Sequence, residues 1–325
     1  MQAFEYASPS TLQEALSLLG SSWGETDVLA GGTDQISLMK DYLHTPHRLV
    51  NIKGVKELGG LHHTPQGLRI GATVTFDELA TSQAVHSEYP SLLAAVMGVT
   101  SPQIRNMGTA GGDLCQRPRC WFFRRGFGLL AMQDGKSLVP NGDNTYHSIF
   151  GGGPAYFVSA SSLGPPLIAL GAKVKLVSAS GSRVIGLEKF FVTPQNEASR
   201  EIALLPNEIL AEITVPPARG VKNATYEVRQ KDALDWPLVT ASVALQMSGQ
   251  SVSHARVVLG HVAPTPWVAA QAEQALSGKP LSTDVIEQAA EAAVSDAKPL
   301  SGNDYKVKLA RVAVKRALLE ASGKA

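Results

Sequence analysis

Cysteine is scarce in this chain: Cys115 and Cys120 are the only two in 325 residues. Two thiols build no disulfide framework, and they cannot supply the four thiolates of an iron–sulfur cluster. No sign of charge dominates either. Lys and Arg number 29 against 28 Asp and Glu, a formal net charge of +1. Binding of nucleic acid or of an anionic membrane through bulk charge therefore has no support. No apolar run reaches membrane-spanning length. The opening stretch MQAFEYASPSTLQEALSLLG has no basic region and carries Glu5 and Glu14, which argues against a signal peptide. The expected compartment is the cytoplasm, with periplasmic location only by export alongside a partner. The nucleotide motif G-x-x-x-x-G-K-[ST] is missing, and no glycine group has G-x-G-x-x-G spacing before a long helical pattern.

Apolar content is what the chain does have. Hydrophobic residues make up 44% and charged residues 18%, enough for a sizeable core and too little polarity for disorder. The length suits two or three domains.

Two small-residue stretches stand out. One is Leu29-Ala30-Gly31-Gly32-Thr33-Asp34, followed by Gln35. The other runs Ile104-Arg105-Asn106-Met107-Gly108-Thr109-Ala110-Gly111-Gly112-Asp113. Glycine clusters by themselves mark turns. They also tolerate positive φ and close approach of a ligand, and successive exposed N–H groups cradle anions. Two such stretches suggest one ligand with two phosphates, gripped from two sides. After the second come Arg117, Arg119, Arg124 and Arg125 with the aromatic run Trp121-Phe122-Phe123. That segment reads either as a partner contact or as a solvated basic loop over a small apolar cluster.

The chain in order gives an α+β pattern rather than a regular βαβ series. Residues 1–55 read as a small unit: a helix from Thr11 capped by Ser10, then strands at 27–30 and 49–52. Residues 56–218 mix short strands and helices, including a capped start at Thr75 and a helix over 91–97. Residues 169–177 and 202–215 carry short β-type runs. The glycine-rich stretch 124–153 reads as a long surface loop. Pro216-Pro217-Ala218-Arg219-Gly220 is the best boundary. Residues 221–325 read as strands at 225–229, 237–246 and 255–262, with helices over 271–276, 284–297 and 304–321 on one face of the sheet.

The two glycine stretches, in this order, resemble those of the FAD-binding medium subunits of the molybdenum hydroxylases, the group of xanthine dehydrogenases, aldehyde oxidoreductases and carbon monoxide dehydrogenases. Ala30 to Asp34 resembles the family's A-G-G-T-D. Ile104 to Asp113 is similar to its I-R-N-x-G-T-x-G-G-N. Gly260 to Leu276, GHVAPTPWVAAQAEQAL, is similar to a segment of its C-terminal domain. Gln116 to Trp121 looks closest to the aldehyde oxidoreductase branch.

This resemblance implies a vanillyl-alcohol-oxidase-like FAD domain in two subdomains plus a C-terminal sheet-and-helices domain. It implies FAD, with both glycine stretches at its pyrophosphate and Trp236, beside Asp232, near the flavin ring; a domain-interface role for Trp236 is the other reading. It also implies partners: a large molybdopterin-binding subunit, where substrate is oxidised, and a small [2Fe–2S] subunit in a heterotrimer. The chain itself would be one electron-transfer station without a substrate-reactive site. Two positions depart from the family pattern. Asp113 stands for its usual Asn, so the carboxylate must turn away or be protonated beside a pyrophosphate. Ser162 stands where the family carries an Asp that bonds ribose. These departures motivate one alternative, a scaffold that has lost FAD; a stand-alone flavin oxidase is the other. Some relatives carry a [4Fe–4S] cluster after the second glycine stretch, but two cysteines imply a cluster-free version here. Cys115 and Cys120 read as packed small side chains, and His147 as structural.

Overall fold

The structure is a computed structural model, and it describes residues 1–231 and 235–324. Three sheets follow one another along the chain. The first is small and parallel: Arg48–Asn51 lies between Glu5–Ala7 and Thr26–Leu29. The helix after the first strand spans Leu12–Ser17 and is capped by Thr11, not Ser10. The helix begins one residue later than expected, so Thr11 accepts from the Glu14 N–H, while Glu14 returns a bond to the Ser10 N–H at 2.8 Å.

The second sheet is antiparallel, in the order Leu61–Thr64, Gly67–Gly71, Ile209–Val215, Lys173–Ser178, Gly181–Gly186. Its inward residues Leu68, Ile70, Val174, Leu176 and Ile213 are all buried in one core with the helices Phe76–Thr81 and Pro90–Gly98. The first of these opens on a complete capping box between Thr75 and Glu78. The β-type run expected from 169 begins only at Lys173. Gly164–Ala169 is instead a helix with proline in its first turn, where the missing N–H costs nothing.

The third sheet is antiparallel: Lys222–Val228, Val239–Ser248, Ser251–Gly260 and Trp267–Val268. The helices Ala270–Leu276, Thr283–Ala292 and Tyr305–Ser322 cover one face. The opposite face is covered as well. Ala241, Val243 and Leu245 join the core under those helices, while Ala244 turns into the core of the second sheet. There Gly164–Ala169 and Pro90–Gly98 pack on the third sheet. Asn223 fastens this contact by accepting from the Ser91 N–H at 2.9 Å and donating to the Glu88 carbonyl at 3.1 Å.

The stretch 124–153 is a surface loop only in part: 125–127, 132–136, 141–143 and 151–153 are exposed, but other parts are buried. After the hairpin Met132–Gln133/Lys136–Ser137 it dives under the C-terminal helices. Ile149 and Phe150, at 0% and 1% exposure, belong to the third sheet's core. Their backbone pairs with Val262 and Lys298, and Asn303 donates to the carbonyls of His147 and Ser148 at 3.2 and 3.1 Å. The buried Lys306 ammonium donates to the carbonyls of Tyr146, His147 and His261. Residues 144–150 thus form a strap across the C-terminal unit. Among the described residues no helix is long and apolar enough to cross a membrane.

Candidate cofactor site

The two glycine stretches meet backbone to backbone. A Cβ on Gly31 would lie 1.8 Å from the Met107 carbonyl oxygen, so only glycine allows the approach. Gly32 has φ +75°, the left-handed region that favours glycine. The second stretch is not the positive-φ loop its composition suggests. It is two short helices, Pro102–Met107 and Ala110–Cys115, joined at Gly108 and Thr109. Gly111 and Gly112 sit in the first turn of the latter, where the Thr109 hydroxyl accepts from the Gly112 N–H at 3.1 Å. Packing explains Gly111: a Cβ there would lie 2.8 Å from the Ala72 Cβ. A Cβ on Gly108 would press on the Phe76 ring at 3.0 Å.

Around this junction lies a cavity of about 460 Å³. Ala30, Gly31, Gly32, Thr33, Asp34, Gln35, Ile104, Gly108, Thr109, Gly111, Gly112, Asp113, Ser162 and Trp236 all line it. Three expected residues do not. Leu29 packs into a small core with Met39 and Leu49. Asn106 and Met107 lie on the surface, Met107 contributing its carbonyl against Gly31. Asp232 lies outside the described residues. Among the described residues no protein group accepts from the N–H of Gly31, Gly32, Thr33 or Asp34. Four consecutive unclaimed donors at a cavity wall are what an anion needs.

The Asp113 carboxylate is buried and engaged by protein donors. It accepts from the Ser161 hydroxyl at 2.5 Å, the N–H of Leu163 at 2.9 Å and of Ser162 at 3.2 Å, and the Gln116 amide at 2.9 Å. Burial pushes its pKa up to about 6, and these bonds pull against the shift. The two departures from the family pattern are therefore one structure: Asp113 holds the turn that carries Ser162.

The arginine segment folds inward. Asp34 accepts from Arg124 at 2.8 Å and the Arg117 N–H at 2.9 Å, and pairs with Arg119 at 3.2 Å. Arg117 pairs with Glu201 at 2.5 Å, and the Arg119 guanidinium lies 4.6 Å over the Trp236 ring. Only Arg125 of the four is exposed, because the others answer the half-buried Asp34 and the buried Glu201. The reading of a solvated basic loop is thereby corrected: Arg117, Arg119 and Arg124 form an internal clamp on the first glycine stretch.

Sequence reading missed a second group on the same wall. Trp23, Asp27, His44 and Arg200 also line the cavity. Arg200 lies 4.2 Å over the Trp23 ring. Burial pushes the Asp27 carboxyl up, but His44 at 3.3 Å and the Gln35 amide at 2.6 Å outweigh it and leave it below the ordinary value. None of these residues falls in a recognisable motif, so only the fold brings them together.

The Cys120 sulfur lies 3.1 Å from His147 Nε2. Burial raises the thiol's pKa and lowers that of His147 to about 4, so the pair stays neutral. Burial pushes Cys115 up to about 12. Neither thiol has thiolate character.

Residues 2–218 match the sequence family described as the FAD binding domain in molybdopterin dehydrogenase, and residues 224–321 match the CO dehydrogenase flavoprotein C-terminal domain. The chain belongs to the FAD-binding medium subunits of the molybdenum hydroxylases. It is 31% identical to the aldehyde oxidoreductase FAD-binding subunit of Escherichia coli K12, covering 100% of both chains. It is 29% identical to the carbon monoxide dehydrogenase medium chain of Hydrogenophaga pseudoflava, covering 97% of this chain and 96% of that one. The structure of carbon monoxide dehydrogenase from H. pseudoflava superposes with a TM-score of 0.78 at 30% identity, covering 99% of this chain and 98% of that one. The α+β fold of a medium subunit is the observed fold, and FAD is the family's cofactor. The cavity fits a dinucleotide: close glycine backbones, unclaimed N–H donors and aromatic walls lie together.

Proposed function

We propose that this chain is the electron relay of a molybdenum hydroxylase complex. It receives electrons from iron–sulfur clusters on a small [2Fe–2S] subunit and delivers them to an external acceptor. Substrate is oxidised elsewhere, on a large molybdopterin-binding subunit. The observation that carries this reading is the cavity of about 460 Å³ built around unclaimed N–H donors of Gly31 to Asp34. FAD, when bound, exchanges electrons singly or in pairs.

The chain's own residues bind and orient. The N–H groups of Gly31, Gly32, Thr33 and Asp34 receive the pyrophosphate, with Gly108, Thr109, Gly111 and Gly112 closing on it from the other side. The Ser162 hydroxyl, fixed through Asp113, meets a sugar hydroxyl. Trp236, at 41% exposure, borders the flavin ring where electrons enter or leave. Asp113 and Ser161 bond each other rather than point together at a substrate position, and Cys120 and His147 form a neutral pair outside the cavity lining. The relatives, a medium chain and an FAD-binding subunit, suit a multi-subunit assembly.

The test mixes isolated, FAD-loaded chain anaerobically with candidate aldehydes and N-heterocycles and follows flavin bleaching. Bleaching should appear only once the molybdenum and iron–sulfur partners are added. Fast bleaching by the chain alone would refute the relay.

A further inference from the structure

Two arginine-on-tryptophan stacks border the same cavity: Arg119 over Trp236, and Arg200 over Trp23. A flavin dinucleotide has two ring systems. We propose that the Arg200–Trp23 stack is the platform for the adenine ring, leaving the Arg119–Trp236 stack to the flavin. This assignment rests on the FAD reading above.

Arg200 is held differently from the other cavity arginines. The ion pair it makes among the described residues, with Glu201, is long at 3.8 Å, and Glu201 already pairs with Arg117 at 2.5 Å. Its Nε, like those of Arg117 and Arg119, is buried without a hydrogen-bond partner, so the long ion pair is what sets Arg200 apart. The Trp23 ring therefore fixes one face of the guanidinium. A flat, weakly hydrated cation of this kind stacks well on a further π-system. The same segment lines the cavity with Ile202, Leu204 and Pro206, apolar walls for a ring. Thus a purine laid on Arg200 would complete a sandwich with Trp23 on the far side.

The two stacks also differ in charge and exposure. Asp34, beside Arg119, is matched by a second arginine, Arg124. Asp27, on the Arg200 side, is matched by His44 and Gln35. An ionised Asp27 suits the amino group of adenine, which stays neutral, and disfavours a reduced flavin ring that gathers negative charge. Trp236 is exposed, as are Met97 at 50% and Ile104 at 41%, so a ring there can meet a redox partner. Arg200 has a side-chain exposure of 15%, which suits a ring that need only be held.

The experiment uses the full chain stripped of flavin, with ADP and FMN as separate probes and tryptophan fluorescence as the readout. ADP should quench the wild-type emission, and Trp23→Phe should remove most of that quench. Arg200→Leu should weaken ADP and FAD binding by about tenfold, the range of one lost base-stacking contact, and leave FMN binding unchanged. Trp23→Phe keeps the test valid if Arg200→Leu fails to fold, as judged by circular dichroism. Wild-type ADP affinity in Arg200→Leu, or an ADP quench that survives Trp23→Phe and vanishes in Trp236→Phe, would overturn the assignment while FAD binding itself stands. A wild-type chain that binds none of FAD, ADP or FMN would overturn both.

Discussion

Single glycines set the cavity, and they do so for different reasons. Gly31 leaves no room for a methyl group beside the rigid carbonyl of Met107. A Cβ on Gly32 would press only on the side chains of Leu29 and Ile36, at 3.1 and 3.3 Å, but the backbone there has φ +75°. Gly186 has neither constraint, with no atom within 4 Å of an added Cβ. Three alanine variants should therefore separate. Gly31→Ala must push the two glycine stretches apart and should lose most bound flavin. Gly32→Ala pays a left-handed penalty of about 1–2 kcal/mol in stability and should keep part of its flavin. Gly186→Ala should match wild type. Flavin content per folded chain and thermal midpoints are the measurements, and equal flavin occupancy in all three would contradict the backbone-contact account.

At the scale of elements, the strap 144–150 is the least expected piece. Its fastener is Asn303, fully buried, which donates to the His147 and Ser148 carbonyls and accepts from the Leu300 N–H at 2.6 Å. Asn303→Ala leaves the Ser148 carbonyl and the Leu300 N–H unpaired, while Lys306 still holds the His147 carbonyl, and should destabilise the chain by about 2–4 kcal/mol, with little change in FAD affinity. Urea denaturation with flavin titration decides it; a loss below 1 kcal/mol would mean the strap is held by Ile149 and Phe150 alone. Nothing in the sequence announced this element. Ile149-Phe150 is too short to show a period, and the surrounding glycines point to turns. Longer, periodic elements were legible: the helix ending at Ser322 and the strands of the third sheet lie within a few residues of where their patterns put them. That the two glycine stretches work together was legible from composition, and they meet at one cavity, but the helix containing Gly111 and Gly112 was not legible, because glycine argues locally against helix. The Trp23 and Arg200 wall was invisible, since 177 positions separate its two members and no motif marks either.

Across the whole molecule, buried titratable groups set the pH response. Burial lowers His147 to about 4 and His261 to about 3. Unfolded histidines take up protons below about 6.5, so the native state loses stability as pH falls from there toward 4. Asp113 acts oppositely over the same range. Its native pKa of about 6 exceeds the unfolded 3.8, so its contribution shrinks as pH rises between them. Two histidines outweigh one carboxyl, and the thermal midpoint should climb from pH 4 to 6.5. His147→Gln should flatten the climb, and a midpoint that falls over this range would show that the carboxyl dominates. On the alkaline side, burial lowers Lys306 to about 7, so stability should rise further from pH 7 to about 9, where the raised thiols of Cys115 and Cys120 begin to oppose it.

The strap also decides how these subunits can be recombined. The two family matches meet between residues 218 and 224, which invites a single crossover there. Such a hybrid would seat a foreign Ile149-Phe150 in the C-terminal core of another parent. Domain exchange between relatives therefore calls for a discontinuous graft, in which residues 144–150 travel with residues 224–321.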